Sequence, residues 1–349
     1  MRDWRHVAML LALGLALPIA AGAQNKVGTT AAPFLTIGVG SRPQAMGGAF
    51  VSIADDIHAL YWNPAGLAAM KQSEAILVHS TWLADMSFDY LGVAFVLGRA
   101  GTVGTSVTLL DVGEMEVTNE KNQEGTGLYF RSYDVAAALH YGYRFYDKFS
   151  IGGTFKYIYQ TIWNEKAQGI AIDIGTLFIT PFHDWRLGMN ISNFGTPMRI
   201  QGDDLLIFYD SDGTKFGNND KVLATIDTDY WQLPLTLRVG VSGELIQRGE
   251  NRLTLALDWV VPNDNSEFVN IGGEYAFREA VFLRAGFRKI EPNSENGFSL
   301  VREDNGGGMT FGTGLNLTPA RGVVMSVNYA FESFERLGNV HKYSLSFRF

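Results

Sequence analysis

From Glu74 to Phe349 the chain repeats one pattern: short runs in which apolar side chains alternate with small or polar ones, each closed by turn residues. A period of two marks a strand that shows one face to an apolar medium and the other to a polar one. Trp185, Leu187, Met189 and Ile191 share a face opposite Arg186, Gly188, Asn190 and Ser192. Leu253, Leu255, Leu257, Trp259 and Val261 oppose Thr254, Ala256 and Asp258, while Met309, Phe311, Leu315 and Leu317 oppose Thr310, Gly312, Gly314 and Asn316. The pattern predicts fourteen strands, over 74–82, 90–97, 101–110, 131–144, 149–160, 168–179, 184–193, 234–245, 251–261, 267–277, 280–289, 307–317, 322–331 and 341–349. Most have the length needed to cross a bilayer at a tilt.

Alternation alone does not separate a soluble sandwich from a membrane barrel, because the apolar face meets a core in one and lipid in the other. Turn lengths do. Short turns are expected near Gly98–Ala100, Tyr146–Lys148, Pro181–His183, Arg248–Glu250, Arg278–Glu279 and Thr318–Ala320, alternating strictly with longer connections, among them the polar stretches 111–130, 194–233 and 290–306. An up-and-down barrel with short periplasmic turns and long external loops has this rhythm, whereas a Greek-key sandwich has no reason for it. An even strand number then puts both chain ends, and the start of the segment ahead of the strands, on the short-turn side. In the last strand Tyr343, Leu345, Phe347 and Phe349 share a face opposite Lys342, Ser344, Ser346 and Arg348. A C-terminal amphipathic strand ending in Phe resembles the sorting signal that barrel-assembly machinery reads.

The stretch Phe34 to Met70 follows neither rhythm. Gly38, Gly40, Gly47, Gly48 and Gly66, with Pro43 and Pro64, break it into short pieces, yet it is too apolar for an ordinary linker. It is expected to form a compact, turn-rich plug. Ahead of it, Arg2 and Arg5 precede an apolar run, Val7 to Leu17, and the small-residue end Ala21-Gly22-Ala23. These are the parts of a cleaved export signal, with Gln24 the expected mature start, and the run is too short for a transmembrane helix. The predicted organisation is a signal peptide over 1–23, a plug or hatch over 24–72 and an outer-membrane barrel over 73–349.

Composition agrees with a barrel without deciding for it. Apolar residues make up 46% and charged residues 18% of 349, so the apolar content is spread by alternation rather than concentrated in helices. A net charge of −8 argues against a nucleic-acid partner, and the absence of cysteine removes disulfides, thiolate metal sites and cysteine nucleophiles.

Met46 to Asp56, MGGAFVSIADD, followed by Tyr61 to Ala68, YWNPAGLA, resembles the N-terminal signature of the PorV/PorQ family. That family is related to the FadL-type outer-membrane barrels, whose hatch carries a similar Asn-Pro-Ala motif, here Asn63-Pro64-Ala65. The resemblance implies a non-enzymatic, FadL-like, hatch-plugged barrel in the outer membrane of a Gram-negative-type bacterium. It also implies association with type IX secretion, through a translocon or secreted cargo protein bound at the long loops such as Gly195 to Gln232. The plug residues it singles out are Gly47, Gly48, Asp55, Asp56, Asn63, Pro64, Ala65 and Gly66, as structural or gating positions.

Candidate chemistry is sparse. A membrane-facing phospholipase needs a lipid-facing Ser/His pair, and none of His58, His79, His140, His183 and His341 is placed by the pattern beside a serine. No G-x-S-x-G elbow occurs. His140 should point into the lumen, and His341 outward near the loop rim. The acidic loop Asp203 to Asp229 contains Asp210-Ser211-Asp212-Gly213, but the calcium-loop glycine position holds Lys215. No catalytic residue, cofactor or metal is therefore expected. Lys156, Asp173, Arg186, Arg238, Asp258, Arg284, Arg288 and Arg348 should point inward, where opposite charges pair and hold a plug in place. Asn63 is expected to cap backbone groups of the hatch.

A second function competes with the secretion role: FadL-like uptake of hydrophobic small molecules. It requires an apolar pocket between loops and plug and a kink or gap in one strand. Gly152-Gly153 and Gly272-Gly273 are the candidate kinks, and equally candidates for points of lumen packing.

Overall fold

The computed structural model describes residues 28–210, 214, 221–293, 297–299, 308–334 and 337–349. The expected signal segment, Gln24 and most of the Asp210–Lys215 stretch lie outside the described residues.

Fourteen long strands close into a single antiparallel barrel. They are β1 (Glu74–Thr81), β2 (Ser87–Val96), β3 (Thr102–Glu116), β4 (Tyr129–Tyr146), β5 (Phe149–Ile162), β6 (Glu165–Ile179) and β7 (Arg186–Gly195). After a long excursion come β8 (Thr236–Arg248), β9 (Asn251–Pro262), β10 (Phe268–Phe277), β11 (Val281–Asn293), β12 (Gly308–Ala320), β13 (Val323–Ser333) and β14 (Asn339–Arg348). Each strand pairs with its neighbours in sequence, and β14 pairs with β1 from Glu74↔Arg348 to Thr81↔His341, which removes both edges. In a bilayer only helices and closed barrels satisfy every backbone group. Among the described residues no helix is long and apolar enough to cross.

Burial alternates along the strands as the sequence pattern requires. In β6 the outward Ile170, Ile172 and Ile174 are exposed while Ala167, Ala171 and Asp173 are buried. Leu139, Phe155, Leu187, Leu257, Leu283 and Leu315 belong to the same outward apolar band. An exposed apolar surface of this extent is a lipid face.

Strand ends differ from expectation where the chain leaves the apolar band. β3 runs to Glu116 and β4 begins at Tyr129, so the strands extend into both ends of the 111–130 loop and leave 117–128 outside them. β5 and β6 continue until only Trp163 and Asn164 join them, so the alternation of short and long turns is not strict. Beyond the lipid both faces meet water, so ladder hydrogen bonds continue while period-two hydropathy fades. The expected Thr318–Ala320 turn also moves to Arg321–Gly322, after a register shift between Leu317 and Ala320. The 194–233 connection is not simply polar: it carries a ribbon pairing Leu206–Tyr209 with Val222–Thr225, where Phe208 is 72% exposed and Leu223 63%.

Residues 28–72 lie inside the barrel as a hatch of short turns around α1 (Ser41–Ala45) and α2 (Ala59–Trp62). Its described start is at the long-loop end, not the short-turn end. Ala31 donates its N–H to the Gln232 carbonyl (2.8 Å), and the Thr30 hydroxyl donates to Asp264 (2.9 Å) in the β9–β10 connection. The segment then descends the lumen to Ser73, whose carbonyl accepts from the N–H of Phe349 (2.9 Å) at the short-turn rim. Strand parity decides where β1 begins and β14 ends. It says nothing about a segment that threads the lumen before β1.

Candidate functional site: the hatch and the two chambers of the lumen

A ring of inward glycines lets the hatch lie against the wall. A Cβ at Gly152 would overlap the Pro64–Ala65 backbone, at Gly175 the Asn63 side chain, and at Gly188 the Val51 carbonyl. On the far side a Cβ at Gly272 or Gly286 would overlap Met46, and at Gly312 Ala45. These glycines are points of packing rather than kinks: Gly152 stays in register between Gly142 and Gly175, and Gly272 between Ala256 and Gly286. Each pair of neighbouring strands is hydrogen-bonded, so the described wall shows no gap.

Asn63 is fully buried and joins hatch to wall. Its Nδ2 donates to the carbonyls of Val51 (2.8 Å) and Thr176 (3.0 Å), and its Oδ1 accepts from the N–H of Ala65 (3.1 Å), capping the 3₁₀ turn Pro64–Ala69. Gly66 packs so closely on Ala54 that no side chain fits there. Gly47 and Gly48 both have positive φ (67° and 76°), and the Gly47 N–H donates to the Thr310 hydroxyl (2.9 Å). Between these anchors, Asp258 of β9 accepts from the N–H groups of Phe50 (2.7 Å) and Val51 (2.9 Å).

Below the hatch, toward the short turns, a chamber of about 480 Å³ is framed by paired charges. Glu274, wholly buried, accepts from three guanidinium groups: Arg42 of the hatch (2.9 Å), Arg284 (2.7 Å) and Arg252 (3.1 Å). Arg42 also holds Asp55 (2.8 Å) and Asp56 (2.6 Å), and Asp55 reaches Arg186 of the wall (3.4 Å). Asp56 meets His58 Nδ1 at 2.7 Å. Burial pushes the Asp56 carboxyl up, but His58 and Arg42 beside it outweigh that effect and hold it well below the usual carboxylate range.

Above the hatch a smaller chamber of about 250 Å³ opens toward the long loops. Trp62, Trp82, Phe268 and Phe334 supply its aromatic surface, and Arg238, Arg288 and Lys289 supply cations. Arg288 donates to Glu332 (2.9 Å) and its guanidinium lies over Phe334, while Arg238 lies over Trp62.

The inward charges named from sequence all reach the lumen. Lys156 pairs with Asp173 (2.7 Å), and Arg186 with Glu244 (2.9 Å) as well as Asp55. Arg348 approaches Glu74 (3.9 Å). The pattern did not single out Arg42, Glu274, Glu332 or the hold of Lys342 on the Gly38 carbonyl of the hatch, although Glu274 is in phase with the inward Gly272 and Ala276. Two β-bulges also turn residues inward against strand parity. Asn193 (φ 63°) enters the lumen with its N–H on Asp173 (2.8 Å), and Lys289 (φ 53°) does so with its N–H on Asn270 (2.8 Å). In the last strand Tyr343 is exposed outward, Leu345 and Phe347 are half-buried, and Phe349 is exposed at the short-turn rim.

Two serine–histidine groupings correct the sequence expectation. His140, inside the wall, lies 2.8 Å from the Ser106 hydroxyl and 2.9 Å from Thr154. Cross-strand pairing is what joins them, and among the described residues no carboxylate stands behind that imidazole to stabilise its charged form. On the outer face, His79 meets Asp89 (2.7 Å), and the Ser87 hydroxyl donates to Asp89 (2.8 Å) rather than facing the imidazole. Neither arrangement presents an activated nucleophile. His341, exposed near the loop rim, meets the Tyr329 hydroxyl (2.8 Å). Among the described residues no group of three or more His, Cys, Asp or Glu is placed to hold a metal ion.

Residues 9–174 match the model of an uncharacterised protein family (UPF0164), a span that takes in the hatch and reaches into β6. None of the curated proteins matches the sequence. Among solved structures the chain resembles the CymD monoaromatic hydrocarbon channel, with a TM-score of 0.54 at 13% identity, covering 89% of this chain and 97% of that one. It also resembles the Pseudomonas putida toluene transporter TodX, with a TM-score of 0.56 at 12% identity, covering 88% and 96%. The Ralstonia pickettii toluene transporter TbuX gives a TM-score of 0.52 at 13% identity, covering 89% and 97%. The protein is thus a closed fourteen-strand antiparallel β-barrel with the fold of the monoaromatic hydrocarbon channel and toluene transporters that it resembles.

Proposed function

We propose that the protein is a hatch-gated outer-membrane channel for small, largely apolar molecules. The observation that carries this reading is the aromatic chamber on the long-loop face of the hatch, where Trp62, Trp82, Phe268 and Phe334 converge. Apolar pockets with a few convergent polar groups are the usual form of a small-molecule site. The similarity to a hydrocarbon channel and two toluene transporters supports it. Passage requires the hatch to shift, because its descent through the glycine ring fills the lumen.

The test uses the absence of native cysteine. Ser41 of the hatch lies against Ser344 of the wall, its N–H 3.4 Å from the Ser344 hydroxyl. In proteoliposomes, S41C/S344C should take up toluene when reduced and stop when oxidised. Uptake that ignores the disulfide, or is no faster than in empty liposomes, removes the reading.

The secretion reading has its own support in the exposed apolar ribbon of Leu206–Tyr209 and Val222–Thr225, a surface suited to a protein partner such as a type IX translocon or its cargo. Replacing 206–225 with a short polar linker should abolish co-purification of such a partner from native outer membrane and leave toluene uptake intact. The outward face of β14 is proposed as the strand that assembly machinery reads. Replacing Tyr343 and Phe347 with Asp, which puts charge on the outward face, should lower the amount of folded barrel in the membrane.

A further inference from the structure

Arg288 is only 9% exposed, yet its Nε and Nη2 have no acceptor among the described residues. Only Nη1 is engaged, by Glu332. Arg238 pairs with no carboxylate among the described residues: Nη1 reaches the Ser192 hydroxyl (3.3 Å) and the guanidinium otherwise lies on Tyr61 and Trp62. Both side chains line the long-loop chamber. Buried N–H groups without acceptors are rare because each forfeits its hydration, and a guanidinium edge with two free donors is shaped for a carboxylate. Beside these donors stand the aromatic rings of Trp82, Phe268 and Phe334, in a lining that also carries the Asp264 carboxylate, which accepts from the Thr30 hydroxyl. The chamber's 250 Å³ is below the usual range for drug-sized ligands, so it suits a single ring rather than a long chain.

We propose that the long-loop chamber binds a monocyclic aromatic carboxylate, its carboxylate on the free edge of Arg288 with Arg238 as second cation and its ring among the aromatic side chains. This deepens the channel reading and rests on it for the ligand's passage, though not for its binding. It also departs from the neutral hydrocarbons named for the similar structures.

The experiment is calorimetric titration of the full chain in detergent with benzoate, toluene and acetate, alongside Arg288→Gln and Arg238→Gln. Arg288→Gln also breaks the Glu332 pair, so Arg238→Gln, which breaks no ion pair, guards against a folding artefact. Benzoate should bind at least tenfold more tightly than toluene or acetate, and each variant should lose at least fivefold for benzoate with little change for toluene. Benzoate binding no tighter than toluene, or unchanged in both variants, overturns the site. Toluene uptake by proteoliposomes separates the two readings. Uptake without benzoate preference removes the carboxylate site and leaves the channel, whereas benzoate binding without uptake of either compound supports the site and removes the channel.

Discussion

The two chambers are built from the same kinds of residue and use them differently. On the short-turn side, Arg42, Arg252 and Arg284 converge on Glu274, and Asp55 and Asp56 tie the hatch to the same lattice. On the long-loop side, Arg238 rests on aromatic faces and Arg288 keeps two donors without acceptors among the described residues. Charge that is already neutralised holds structure together. Guanidinium donors left without acceptors beside apolar rings are available to a ligand. On the proposed reading, the mechanical lock of the hatch lies below and its recognition surface above.

Glu274→Ala should break this comparison most severely. It leaves the buried Arg284 without its carboxylate and takes one partner each from Arg42 and Arg252, and removing one partner of a buried pair costs about 3–5 kcal/mol. Urea unfolding in micelles should show the loss, and planar-bilayer recording should show new ion conductance as the hatch loosens.

Next comes the glycine ring. Gly152→Val forces a side chain into the Pro64–Ala65 backbone, an overpacking that costs about 1–3 kcal/mol. Conductance should rise while the barrel keeps its resistance to heating in detergent, since the strand itself remains paired. Asn63→Ala removes donors from the Val51 and Thr176 carbonyls, at about 1–3 kcal/mol for groups left buried and unpaired. Hydrogen exchange should speed up over 50–66 and stay slow in the strands.

Arg238→Gln, by contrast, should cost only about 1 kcal/mol, the worth of its stacking on Trp62, because no ion pair is lost. A stability loss as large as that of Glu274→Ala would erase the distinction between lock and recognition surface.

Acid should have the smallest effect. The Asp56 carboxyl is held below its ordinary value, so its stabilisation is fully present above about pH 4 and disappears only as pH falls through the depressed value. Conductance should therefore stay flat from pH 7 to pH 5. A rise within that window would mean that another group sets the lock.

Legibility differed by region for physical reasons. The wall was readable because lipid on one side and lumen on the other impose a period of two, and fourteen runs carry that period. Where Asn193 and Lys289 form bulges the period slips, and nothing local in the sequence marks a bulge whose N–H is satisfied by Asp173 or Asn270 from the next strand. The hatch was readable as a compact segment from its glycines, prolines and apolar content, but its direction was not. Threading from the Gln232 rim to Ser73 depends on partners about two hundred residues away.

Alternation, turn spacing and the Asn63-Pro64-Ala65 stretch determined by themselves a plugged all-β barrel of about fourteen strands, because local periodicity is all that a lipid face demands. Only the tertiary structure decided which glycines admit the hatch, which charges share Glu274, that Arg238 rests on ring faces, and that Arg288 keeps two donors without acceptors among the described residues beside its pair with Glu332. Those outcomes depend on barrel closure, which brings distant strands around one lumen and sets, residue by residue, which charges find a partner.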